Sequence, residues 1–205
     1  MRDYGLEPTR EALRQRQGSG ARYDATSAPT RDLDLARRGT AYFARLLNGL
    51  SDAEVDAATA LPGFRRRDII ANIGYHARAL SEVLASMRRD VGNPLPVSIF
   101  VDEVEVRRRA SQPAHALRSL VAHSSVHLNV EWRDLNNAQW DLTISDATGK
   151  TLAVRDTPRL RAEVIWLHAI YLNAGGRIED VPKDLVHSLD GTLRPATPFY
   201  NQKTN

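Results

Sequence analysis

Histidines spaced by one helical turn are the first chemistry this sequence offers. His123, His127 and Glu131 stand at i, i+4 and i+8, so on a helix they share one face and can chelate a metal or relay protons. That row lies about 100° around the helix from Leu128 and Trp132, which places it on a flank, in solvent or against a second subunit of a homodimer. Asn72 and His76 are also one turn apart, inside an apolar helical stretch, and His168 lies in another. His76 is a group facing a pocket, a metal ligand, or a partly buried ring bonded to a backbone carbonyl or a neighbour; His168 either faces a ligand or is a core histidine. Arg78 and Arg161 are forked donors of the kind that a small carboxylate substrate needs, or else members of surface ion pairs. Glu163 and Trp166, on the same stretch as His168, complete the candidate substrate-binding set. Trp132 and Trp140 read as core or cavity wall. No cysteine is present, which excludes a disulfide scaffold, a thiolate metal site and a cysteine nucleophile. Any sulfur chemistry must use a borrowed thiol.

Helices are the elements that must position these groups. Leu35, Tyr42, Leu46, Leu47 and Leu50 recur at helical spacing after Asp32, and Asn48-Gly49 supplies a stop. Ser51 to Glu54 has the form of a capping box, and Leu61-Pro62-Gly63-Phe64 turns the chain. A long helix over 67–89 carries the stripe Ile69, Ile73, Ala77, Leu80, Leu84 and Met87, and Gly92, Pro94 and Pro96 end it. A charged stretch follows. Pro113 then opens a helix with Leu117, Val121, Leu128, Trp132 and Leu135, a stripe broken by Ser124 and Ser125. Alternation over 140–144 and 151–154 around Gly149 predicts a β-hairpin. Pro158 starts a last long helix carrying Leu160, Val164, Trp166, Leu167 and Tyr171, with a stop at Asn173 to Gly176 and a short helix near Pro182 to Leu189. The expected organisation is a polar extension over 1–29, a helical bundle over 30–190 with a hairpin before its last long helix, and a polar tail over 191–205.

Composition narrows the partners. The chain has 205 residues, with 28 basic against 25 acidic side chains, and only Lys150, Lys183 and Lys203 of the basic set are lysine. Beyond Arg65-Arg66-Arg67 and Arg107-Arg108-Arg109 the charges are mixed, so the sequence carries no nucleic-acid footprint. No window approaches the roughly 18 apolar residues of a membrane span, and the N-terminus lacks the apolar stretch of a signal peptide. A cytoplasmic protein that binds a small molecule, without nucleic-acid or membrane partners, is the expectation.

Two strings carry a family resemblance. Leu61-Pro62-Gly63-Phe64-Arg65-Arg66, followed by Ile69-Ile70-Ala71-Asn72-Ile73, resembles the L-P-G-W-(T/S)-x-x-x-(V/I)-x-A-H-(L/I) signature of the mycothiol-dependent maleylpyruvate isomerase family, within the DinB-like superfamily. Pro158 to Leu172, PRLRAEVIWLHAIYL, is similar to that family's R-x-x-E-V-x-x-H-x-x-D-L segment. The resemblance implies a mainly α fold, the DinB-like four-helix bundle with a small hairpin before its last long helix. It also implies cis–trans isomerisation of an unsaturated diketo acid with a small-molecule thiol as cofactor. A divalent metal, usually zinc, is held in that family by a histidine of the second helix and a Glu-x-x-x-His or His-x-x-x-His pair of the fourth.

This chain departs from that ligand set. Asn72 stands at the second-helix histidine, and Val164 stands four residues before His168. Glu163 precedes His168 by five residues, roughly 140° around an α-helix, so only a π-bulge would aim both at one ion. Zinc is therefore not expected at the usual site, with His168 as the one remaining candidate ligand. Without metal, the resemblance leaves His168 or His76 as base for the thiol and Asn72 as donor to the developing oxyanion. Only about 30 residues follow Gly176, so the further C-terminal domain common in the family is expected to be absent or reduced. Three alternatives stay open on this fold: a thiol S-transferase, another specialised enzyme, and a metal-free module that binds a small molecule or a partner through a vestigial cavity.

Overall fold

The computed structural model describes residues 24–89, 103–145 and 151–190. Residues 1–23 of the expected extension, the stop at Gly92 to Pro96, the turn at Gly149 and the tail lie outside the described residues. Among the described residues there are six α-helices: α1 (Thr30–Asn48), α2 (Arg66–Arg88), α3 (Glu103–Ala110), α4 (Ala114–Asp134), α5 (Thr157–Tyr171) and α6 (Lys183–Asp190). Two short strands, β1 (Thr143–Ser145) and β2 (Thr151–Ala153), pair antiparallel with Ile144 opposite Leu152. The four long helices form the bundle. Helix α1 packs against α5 and α4, and α2 packs against α4 and α5, so the order around the bundle is α1, α5, α2, α4.

Local chemistry explains the boundaries. The Asp68 carboxylate accepts the Arg65 backbone N–H at 2.8 Å, closing the first turn of α2. Ser51 Oγ donates to Glu54 at 2.7 Å and Ser51 N–H to the same carboxylate at 2.8 Å, so the expected capping box forms, over a short 3₁₀ helix at Ala53–Asp56. Pro113 and Pro158 sit at the starts of α4 and α5, where a missing N–H costs nothing. Arg66 ties α2 to the far end of α5: its guanidinium donates to the carbonyls of Leu172, Asn173 and Glu54.

Helix α2 is buried nearly all round, from Ile69 to Ala85, and is the bundle's central member. Two glycines permit the closest approaches. A Cβ on Gly39 of α1 would stand 2.6 Å from Ile165 Cγ2 and 2.7 Å from Trp166 Nε1, and one on Gly74 of α2 would stand 2.7 Å from Leu120 Cγ.

Two elements differ from the sequence expectation. The charged stretch before Pro113 contains α3, because Glu105 accepts from Arg108 and Arg109 one turn on while Val106 and Ala110 bury against the bundle. Trp140 is in a 3₁₀ helix (Gln139–Asp141), not in the first strand. Asn136 and Gln139 exchange side chain to backbone bonds of 2.9 Å in both directions, and this capped turn seats the fully buried indole. Pairing starts only at Thr143.

Candidate functional site

Helices α2 and α5 run antiparallel, and their facing residues make the polar centre of the bundle. His168, in the last turn of α5, lies with Nδ1 2.7 Å from the Val164 carbonyl. A carbonyl only accepts, so Nδ1 carries the proton and, in the neutral ring, Nε2 presents a lone pair. That lone pair meets the Asn72 amide nitrogen of α2 at 2.9 Å. Seven residues before His168, two turns along the same face, Arg161 is only 1% exposed. Its Nη1 donates to the Ile73 carbonyl at 3.0 Å and to His76 Nδ1 at 3.2 Å, which places the proton of neutral His76 on Nε2.

Burial sets the electrostatics. Desolvation pulls the His168 pKa down to about 4 against a partial restoring effect of the Val164 carbonyl, and the Arg161 charge lowers it further. His76 falls well below its ordinary value, by desolvation first, then by repulsion from Arg161 and His168. Burial pulls Arg161 itself down to about 9, so it remains charged at neutral pH. Its Nη2 has no hydrogen-bond partner among the described residues. The centre thus holds two neutral imidazoles, one amide and one cation.

The structure brings together Asn72, His76, Arg161 and His168 and leaves the other candidates elsewhere. Arg78 is exposed and pairs with Glu82 at 2.8 Å, one turn along its own helix. Glu163 likewise pairs with Arg159 at 2.8 Å; α5 is regular there, with no π-bulge to turn Glu163 toward His168. Trp166 is buried but faces α1, donating to the Leu35 carbonyl at 3.0 Å and packing on Tyr42. On α4, His123 and His127 are exposed while Glu131 is bound to Arg88, so the row is dispersed. Ser124 bonds back to the Leu120 carbonyl, and Trp132 donates to Thr157.

The donor set does not fit a divalent metal. His168 keeps the pose of a ligand, with Nδ1–H fixed by a carbonyl and Nε2 directed inward. The position opposite is filled by an amide N–H donor, no carboxylate joins it, and the nearest charge is a guanidinium that repels cations. Among the described residues no three His, Asp or Glu side chains converge on one point. Sequence reasoning missed the depth of Arg161 and the edge-on contact of Tyr171 with His168, at 6.0 Å between ring centroids. The seven-residue spacing from Arg161 to His168 was the available signal for the first.

Comparison with known proteins agrees with this architecture. The model of the mycothiol maleylpyruvate isomerase N-terminal domain matches residues 36–172, which include every residue of the polar centre. Two solved structures are similar at 28% identity, each over 80% of this chain and 68% of the other. One is the mycothiol-dependent maleylpyruvate isomerase, with a TM-score of 0.68, and the other a histidine-to-alanine mutant of that enzyme, with a TM-score of 0.69. No curated protein matches the chain. With two thirds of its length under the family model and the same bundle in both solved relatives, the chain belongs to the mycothiol maleylpyruvate isomerase N-terminal domain family.

Proposed function

We propose that this chain is a thiol-dependent, metal-independent isomerase of small unsaturated keto acids related to maleylpyruvate. The observation that carries the reading is the Asn72–His168 contact: a neutral amide–imidazole pair occupies two positions that hold metal ligands in the resembled family. A bound thiol would supply, as its thiolate with the proton left to solvent, reversible conjugate addition: the carbon–sulfur bond forms as the π pair moves to the conjugated carbonyl oxygen, the carbon–carbon bond becomes single and rotates, and the same thiolate leaves as the double bond returns. Asn72 is half-buried, the one member of the centre that reaches toward solvent. One of its amide N–H bonds is held by His168, which orients the second N–H and the amide oxygen for a ligand. A donor fixed in this way can stabilise the enolate oxygen that forms next to the rotating bond. His168 is then a positioning residue. With a pKa of about 4 it is too weak a base to take a thiol proton near neutrality, which removes one of the two bases that the sequence offered. His76, lowered as well, is no better placed.

The test is isomerisation of maleylpyruvate by the purified chain with a panel of thiols including mycothiol. Turnover should require a thiol, persist in the presence of a strong chelator, and fall at least about tenfold in His168→Ala. Unchanged turnover in that variant overturns the reading. A second reading rests on the same contact: Asn72 and His168 satisfy each other without a ligand, as in a binding module with a vestigial site. Saturable thiol binding with no turnover of any unsaturated acid selects it.

A further inference from the structure

We infer that Arg161 makes the bundle centre an anion site, whose guanidinium receives one singly charged group of a ligand, a thiolate or a carboxylate. This deepens the reading above by naming the charge of what the site holds; it shares with that reading the location and the small-molecule ligand. Arg161 is fully enclosed, yet it has no ion pair among the described residues. Its two bonds run from a single nitrogen to neutral acceptors, the Ile73 carbonyl and the His76 ring. The second terminal nitrogen, Nη2, is buried with no partner among the described residues. A buried charge without a counter-charge is strongly unfavourable, and an unmade bond from a charged donor adds to it.

The surroundings are selective. His76 offers Arg161 a lone pair and stays neutral, and His168 is neutral too, so the centre carries a single positive charge. A divalent cation is repelled, a monoanion neutralises the site, and the unpartnered Nη2 can donate to a carboxylate oxygen or a thiolate sulfur. The fixed cation, two turns along α5 from His168, thus supplies the charge that the missing ligand set cannot gather from a metal.

The test uses the full chain and two probes that separate the sources. Maleate presents carboxylates without sulfur; dithiothreitol presents thiols without carboxylates. Maleate should raise the unfolding temperature saturably, or dithiothreitol should show thiolate absorbance on mixing, at a pH below its own ionisation. Either effect supports the site if it weakens at least about tenfold in Arg161→Met. Neither effect in the wild type, or equal effects in Arg161→Met, overturns the inference. If the Met variant does not fold, the ring nitrogen resonances of wild-type His76 decide: saturating shifts with either probe support it, and their absence overturns it. Anion binding without isomerase turnover leaves this site standing and removes the enzymatic reading; turnover without Arg161-dependent binding does the reverse.

Discussion

Asn72 and His168 hold each other across the α2–α5 boundary, with the amide as donor and Nε2 of the ring as acceptor at 2.9 Å. The direction is forced, because the other ring nitrogen is committed to the Val164 carbonyl at 2.7 Å. Removing one partner leaves the other short of a bond in a buried setting. Asn72→Ala should therefore destabilise the chain by about 1–3 kcal/mol in urea unfolding. A double-mutant cycle with His168→Ala should give a coupling of about 1 kcal/mol. A coupling near zero would show that the contact is incidental.

Stability should fall with acid. His168 has a native pKa of about 4 against an ordinary 6.5, so between those values the unfolded chain binds the proton and the folded chain does not. Its contribution is complete above pH 6.5 and is lost as pH falls to about 4, in total about 3 kcal/mol. His76, also lowered, adds to the same trend. Urea unfolding across this range should show the slope, and His168→Gln should flatten it; an unflattened slope in the variant rules out His168 as its source.

Metal binding should be recoverable. His168 already has the orientation of a ligand, so what is missing is the pair of side chains around it. Asn72→His together with Val164→Glu restores the resembled ligand set, one from α2 and two from α5 at i, i+4. The double variant should retain about one zinc per chain after dialysis, where the wild type retains none. Elemental analysis distinguishes the two, and equal zinc contents would refute the assignment of these positions.

Gly39→Ala should weaken the α1–α5 contact. The added methyl group would meet Ile165 and the Trp166 indole at 2.6–2.7 Å, and the displaced ring loses its bond to the Leu35 carbonyl. A loss of about 1–3 kcal/mol is expected from thermal or urea unfolding, with Trp166 fluorescence shifting toward that of a wetter indole. An unchanged midpoint would mean that α1 can move aside freely.

The helices were legible because their apolar stripes and stop residues are local: Pro113, Pro158 and Asn48-Gly49 mark ends seen in the structure. Helix α3 was not, since it buries only Val106 and Ala110, leaves Val104 exposed, and is otherwise charged, with Glu105 pairing to Arg108 and Arg109 within one turn. At the site, Asn72 and His168 were found from their positions in the resembled family's motifs, and His76 from lying one turn beyond Asn72 on the same helix face. Arg161 was nominated alongside Arg78 because both are forks on the right helices, and sequence does not tell a guanidinium curled onto a backbone carbonyl from one reaching a neighbouring glutamate. Depth separates them, and depth is a property of the packed bundle. The arginine-rich composition also gains a partial physical account: Arg66 and Arg118, and Arg161 at the core, cap backbone carbonyls through planar forks.

Arg66 with Leu172, Asn72 with His168, and His76 with Arg161 form three rungs of one ladder, ascending α2 while descending α5. Each rung joins a different pair of chemical types. Sliding one helix by a turn, about 5.4 Å, would break all three together and take Arg161 away from both of its acceptors. The seam behaves as a latch with three teeth, so loss of this alignment gives up all three contacts in one step.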